Sequence, residues 1–178
     1  GNLQPWRIYV VNGESLTRLR AFLATRPPGE EVEYDIYPPK LWEPYRSNRF
    51  ENGEQLYGSI GIPREDKAAR ARQFARNDDF FGAPCALFCF VDRGMGRPQW
   101  SDLGMFLQTL MLLAVERGLA TCAQEYWSVR HGAIQEFVGA PAEEMLFCGM
   151  SIGLADGDAP INAMRSTRMP LEQWARFI

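Results

Sequence analysis

The chain has 178 residues, 46% apolar and 23% charged, a balance suited to one compact domain and too short for two independent cores. A net charge of −3 and a pI near 5.3 give no broad cationic field for nucleic acid or an anionic membrane. No run approaches the roughly 18 apolar residues of a membrane-spanning helix. The first six residues have neither a basic leader nor an initiator Met, so the start reads as a truncation of a longer natural chain.

Residues 6–11, Trp-Arg-Ile-Tyr-Val-Val, are β-branched and aromatic and run into Asn12-Gly13, which predicts a strand and a turn. Residues 14–24 place Leu16, Leu19, Phe22 and Leu23 on one helical stripe. From 26 to 62 the chain is rich in Pro, Gly and aromatics, too apolar for a disordered linker and too broken for regular elements. It reads as an ordered excursion, either a lid or a surface extension. Residues 64–77 form a basic, alanine-rich helix started by Pro63.

Residues 85–91 are apolar throughout, as expected of a central strand covered on both faces. Ser101 is placed to cap a helix that Gly118 stops. Its apolar residues occupy nearly all faces, which suits the core of a dimer interface or an internal sandwiched helix equally. Ser128 is placed to cap a shorter helix closed by Gly139, residues 145–152 form a second buried strand interrupted by Gly149, and 154–178 is loop-like until a short helical stretch from Pro170. Strands and helices mix without a βαβ repeat, so the fold class is α+β.

Cys85, Cys89, Cys122 and Cys148 form no C-x-x-C pair. Cys85 and Cys89, about 13 Å apart along one strand, are beyond disulfide reach. All four read as buried free thiols of a reducing cytoplasm. His131, the only histidine, reads as a solvated surface residue, and Asp78-Asp79 and Glu143-Glu144 as solvated charges. There is no P-loop and no G-x-S-x-G elbow, and Gly94-Met95-Gly96 followed by Arg97-Pro98 does not open a helix as a dinucleotide fingerprint would. A chain so poor in nucleophiles, bases and metal ligands either is no enzyme or borrows its chemistry from a cofactor.

Asn2-Leu3-Gln4-Pro5-Trp6 before a strand resembles the S-x-x-N-x-Q-P-W segment that opens the core of the nitroreductase family. In the same order, residues 37–64 resemble the family's variable lid, 100–118 its long dimer helix, Gly118-Leu119 with Ala123-Gln124-Glu125 its segment under the flavin ring, and 153–171 its C-terminal phosphate-binding stretch. The resemblance covers essentially the whole chain, read as one domain over 1–178 with a lid-like excursion at about 27–62.

It implies a mixed, mainly antiparallel sheet flanked by helices in an intertwined homodimer. It further implies FMN held non-covalently, and two-step hydride transfer from NAD(P)H through flavin N5 to a flat nitroaromatic or quinone-like substrate. On the same fold, ene reduction, dehalogenation or non-catalytic FMN binding are alternatives. By resemblance, Asn2 and Gln4 sit near the flavin and reach the partner subunit's cofactor, and Ala123 and Gln124 lie under the ring. The backbone N–H of Glu125 points at flavin N5, where such a donor stabilises developing charge. Arg168 matches the phosphate arginine, and with Ser166 at its usual companion's position Arg165 is the substitute candidate. Family members begin with an arginine-bearing helix, and this sequence starts after it. Trp42, Tyr45, Phe50 and Tyr57 are the aromatic lid residues suited to stack on a flat substrate.

Overall fold

The computed structural model describes all residues, 1–178. They fall into two units, one of residues 1–36 and 73–155 and one of 37–72 and 156–178.

The first unit is built on a four-stranded sheet: β1 (Trp6–Asn12), β2 (Cys85–Asp92), β3 (Ala120–Gln124) and β4 (Glu144–Gly153), in the order β1-β2-β4-β3. Every pairing is antiparallel. The two apolar strands of the sequence, β2 and β4, take the centre, and the alternation of their side chains builds two cores. Ala86, Phe88 and Phe90 point with Leu146 into a core closed by Leu16, Leu19 and Leu23 of α1 (Gly13–Ala24) and by Ala133 and Ile134 of α5 (His131–Val138). Leu87, Cys89 and Val91 point with Met145, Cys148 and Met150 to the other face, against Leu103 and Leu107 of α4 (Arg97–Glu116). β2 is thus covered on both faces, as its unbroken apolar run requires.

Several local expectations are corrected. α4 begins four residues before Ser101, with Gly96 as N-cap and Pro98 in its first turn, where a missing N–H costs nothing. Gly96-Arg97-Pro98 therefore does open a helix. α4 is buried at Leu103, Leu107 and Ala114, while Met105 (68% exposed), Leu112 (62%) and Val115 (67%) face away from the sheet. Ser128 caps nothing. Glu30 caps α5 instead, its carboxylate accepting from the N–H groups of Gly132 (2.6 Å) and Ala133 (3.1 Å). Gly149 does not interrupt β4, which runs through it.

Cys122 is exposed and Cys85 half-buried; only Cys89 and Cys148 are fully buried. His131 is half-buried, its Nε2 3.0 Å from the Glu31 carbonyl oxygen and its Nδ1 3.3 Å from Glu33. Glu144 accepts from the Tyr9 hydroxyl at 2.8 Å and is no solvated charge.

The second unit holds α2 (Tyr45–Ser59), α3 (Lys67–Ala75, up to Arg72), α6 (Pro160–Ala163) and α7 (Leu171–Trp174). α2 lies in the stretch expected to lack regular elements. All of Pro38, Pro39 and Pro44 precede it, leaving 15 residues without proline. None of them is buried, so no apolar stripe marked the helix.

Candidate active site

β3 ends at Gln124, and the chain turns at once into a 3₁₀ segment, Glu125–Arg130. The turn is clamped from below. Gln124 is 3% exposed, yet its carboxamide is satisfied at both ends. Nε2 donates to the main-chain oxygen (3.1 Å) and to Oδ1 (3.0 Å) of Asn77, and Oε1 accepts from the Ser151 hydroxyl at 2.5 Å. Such a fully paired buried amide fixes its backbone, because losing one partner strands the other at about 1–3 kcal/mol. The neighbours on either side, Ala123 and Glu125, are exposed.

Two residues on, Trp127 lies fully buried over the glycine of the facing strand. A Cβ on Gly149 would stand 2.2 Å from its Cδ1. The indole stacks on Phe80 at 4.6 Å and meets the edge of Phe88 at 5.5 Å. Phe80 and Phe81 both hold left-handed backbone (φ 54° and 55°), uncommon for bulky residues and sustained here by the Phe80–Trp127 stack. Arg130, 5% exposed, closes the segment. Its Nε lies 2.8 Å from the Asp78 carboxylate, and its other N–H groups donate to the carbonyls of Leu23 and Arg26. Asp78 also accepts from the Tyr126 hydroxyl at 2.8 Å, so it is an internal counter-ion, contrary to the solvated role expected for it.

Burial pushes the thiols of Cys89 and Cys148 up to about 12 and about 11, and burial likewise raises the Tyr126 and Tyr34 hydroxyls. The surface offers hydrogen-bond donors and acceptors to a bound group.

Asn2 and Gln4 are joined, Gln4 Nε2 donating to Asn2 Oδ1 at 3.1 Å, and both are exposed. Gln4 is held at φ +50°, a conformation that costs a non-glycine residue about 1–2 kcal/mol. They precede β1, one edge of the sheet, whereas Ala123, Gln124 and Glu125 close β3, the opposite edge. Three inter-strand spacings, roughly 14 Å, separate the two edges. The two sets of residues thus leave from opposite edges of the sheet.

In the second unit Arg165 and Arg168 are exposed, and each guanidinium bonds only to nearby carbonyls, those of Asn162 and Met164 and those of Ser166 and Thr167. Neither has a carboxylate partner. Of the lid aromatics, Trp42 and Tyr45 form an exposed edge-to-face pair at 5.4 Å, Phe50 lies under Arg64 at 4.8 Å and Tyr57 under Arg70 at 4.3 Å. Sequence reasoning missed Asn77, Asp78, Arg130 and Ser151. The one available signal was a serine inside the otherwise apolar strand β4, a hydroxyl that needs a buried partner.

Fold and site together define an α+β protein whose antiparallel sheet ends in a clamped, exposed backbone segment. The nitroreductase family model matches residues 1–154, and the chain belongs to that family. It is 39% identical to the nitrobenzene nitroreductase of Ectopseudomonas oleovorans, over 99% of this chain and 80% of that protein. It is 37% identical to the 4-nitrobenzoate reductase of Pseudomonas putida, over 99% and 78%. Among solved structures, the FMN- and NADPH-dependent nitroreductase of Sphigopyxis sp. strain HMH superposes with a TM-score of 0.94 at 44% identity, over 100% of this chain and 82% of that one.

Proposed function

We propose that this chain is one subunit of a cytoplasmic homodimeric oxidoreductase that holds FMN non-covalently and uses NADPH to reduce the nitro group of small aromatic compounds. The observation that carries the dimer is the division of the matched residues between opposite edges of the sheet. A second copy, packed on the bare apolar side of α4, would supply Asn2 and Gln4 to the Glu125 end of its partner.

The residues present fit FMN. Gln4 is strained and exposed, its carboxamide bonded only to the equally exposed Asn2, which supports a ligand for the pair. Arg165 and Arg168 carry forked donors without counter-ions, the chemistry a phosphate needs. In this reading Asn2, Gln4 and Ala123 line the ring, the Glu125 N–H donates to it, and Gln124 holds that N–H in place. Trp42, Tyr45, Phe50 and Tyr57 cover the substrate. Bound FMN supplies the two-electron chemistry absent from the side chains; the chain binds, orients and excludes water. The relatives named above act on nitrobenzene and 4-nitrobenzoate, and these are the substrates to try first. Four unpaired cysteines fit a reducing compartment.

The test is the visible spectrum of the FMN-saturated protein and anaerobic NADPH oxidation with each nitroarene. Bleaching of the flavin bands by NADPH and their return with nitroarene are expected. Failure to bind FMN at saturating concentration overturns the reading. Leu112→Glu, on the exposed face of α4, is expected to give monomers that lose FMN.

A further inference from the structure

The second unit contains a groove of about 830 Å³ lined by Lys40, Arg46, Arg49, Arg64, Lys67 and Arg70, with Glu54 the only acid in its wall. That concentration of positive charge stands out in a chain of net charge −3. Glu43 pairs with Arg46 at 2.6 Å and Glu54 with Arg70 at 2.9 Å, which leaves Lys40, Arg49, Arg64 and Lys67 without a carboxylate. The hydrogen bond from Arg70, and then the fields of Arg70, Arg64 and Lys67, hold the Glu54 carboxyl below its ordinary range, so these cations act on one shared space. Arg49 lies flat over Tyr37 with Cζ 4.0 Å from the ring centre, and Arg64 over Phe50 at 4.8 Å. Stacking through the guanidinium face leaves the in-plane N–H forks free for oxyanions.

We propose that this groove receives the phosphate-bearing adenosine half of NADPH, and that Arg64 and Lys67 read the 2′-phosphate that distinguishes it from NADH. A phosphomonoester carries about 1.5 to 2 negative charges, and the diphosphate bridge about two more, which matches the four uncompensated cations. A substrate carboxylate, a single charge on one ring, would leave most of them unanswered. The volume falls in the range of roughly 300–1,000 Å³ typical of small-molecule and cofactor sites. The free edges of the stacked Arg49 and Arg64 suit phosphate oxygens, and the rings beneath hold those edges in place. The proposal rests on the reading of the protein as an NADPH-dependent enzyme, and it names the residues that would select the coenzyme.

The full chain loaded with FMN is titrated with 2′,5′-ADP and with 5′-AMP, and kcat/KM is measured with NADPH and NADH, for wild type, R64Q/K67Q, the conservative Arg64→Lys, and Arg72→Gln as a cation of α3 outside the groove. Wild type is expected to hold 2′,5′-ADP about tenfold or more tightly than 5′-AMP, with that gap below about threefold in R64Q/K67Q and kept in Arg72→Gln. The NADPH preference should fall in parallel through KM, with Arg64→Lys intermediate. An unchanged gap in R64Q/K67Q, or an equal loss in Arg72→Gln, overturns the proposal. So does a rise in KM for 4-nitrobenzoate, but not nitrobenzene, with the NADPH preference intact, since the groove would then serve the substrate carboxylate. If wild type reduces no nitroarene with either coenzyme, the enzymatic reading fails; the 2′,5′-ADP titration still decides whether the groove recognises a 2′-phosphate. Circular dichroism of R64Q/K67Q guards against misfolding, with the single variant Lys67→Gln as the substitute under the same two criteria.

Discussion

Gly149→Ala is the sharpest test of the clamped turn. The new methyl would lie 2.2 Å from Cδ1, 2.8 Å from Nε1 and 3.0 Å from Cγ of Trp127, against an ordinary contact of about 3.5–4.0 Å. The indole must therefore retreat by more than about 1 Å. Its way back is blocked by Phe80, stacked at 4.6 Å on a left-handed backbone, and by Phe88. Overpacking of this kind costs up to about 3 kcal/mol, and replacing a strand glycine returns about 0.5–1 kcal/mol of chain entropy, so the net loss is about 2 kcal/mol. For a chain of this length that corresponds to a fall in Tm of roughly 4–8 °C. The assay is thermal unfolding followed by far-UV circular dichroism, with near-UV circular dichroism to report the displaced indole and an FMN titration to report the Glu125 segment. FMN should bind more weakly, because Trp127 is two residues from Glu125. Gly58→Ala, within α2 and with nothing inside 4 Å, reverses the sign and should stabilise by about 0.5–1 kcal/mol. A Gly149→Ala protein that melts within a degree of wild type with an unaltered near-UV spectrum refutes the idea that Trp127 is pinned.

Arg130→Met removes the buried donor from Asp78, Leu23 and Arg26 and should cost about 3 kcal/mol, seen as a lower urea midpoint. Cys89 and Cys148 titrate at about 12 and about 11 when folded but at about 8.5 when unfolded, so the folded chain keeps its protons longer. Their contribution to stability is complete below about pH 8.5 and declines as pH rises toward 11, at up to about 1.4 kcal/mol per pH unit for each thiol. Urea midpoints between pH 8 and 10.5 should show that decline, and Cys89→Ala should make it shallower. On the native protein at pH 8, Ellman's reagent should reach the exposed Cys122 before Cys89 and Cys148; simultaneous labelling would contradict their burial.

What could be read from the sequence follows from where the signal arises. β2 and β4 declared themselves because both faces of each strand are buried, and α1 because Leu16, Leu19 and Leu23 form a buried stripe. α2 left no mark because it buries nothing. The start of α4 was misplaced because a glycine N-cap and a first-turn proline carried the boundary, while the more familiar serine cap lay one turn inside. The site was legible only through resemblance. Asn77, Ser151 and Asp78 lie 47, 27 and 52 positions from the residues they hold, Gln124 for the first two and Arg130 for the third, and no local pattern encodes such distances. The same holds for Glu30, whose role as the cap of α5 depends on a loop returning from 102 residues away.

The proposed dimer turns on the sheet order. Asn2 and Gln4 enter from the β1 edge and Glu125 leaves from the β3 edge, with β2 and β4 held between them by antiparallel pairing along their length. In the proposed dimer a ligand that touches both sets draws them from two chains, and the two-fold symmetry then gives two shared sites. Mixing two separately inactive variants distinguishes this arrangement from one in which each chain builds its own site. Gln4→Ala removes the carboxamide, and Glu125→Pro removes the backbone N–H. After unfolding and refolding together in equal amounts, half the dimers should be mixed, each with one intact site and one doubly damaged. Activity and FMN binding should therefore return to about a quarter of wild type. With sites built from single chains, every site would carry one lesion and nothing would return. That result would also remove the reason to assign the bare apolar side of α4 to a second copy.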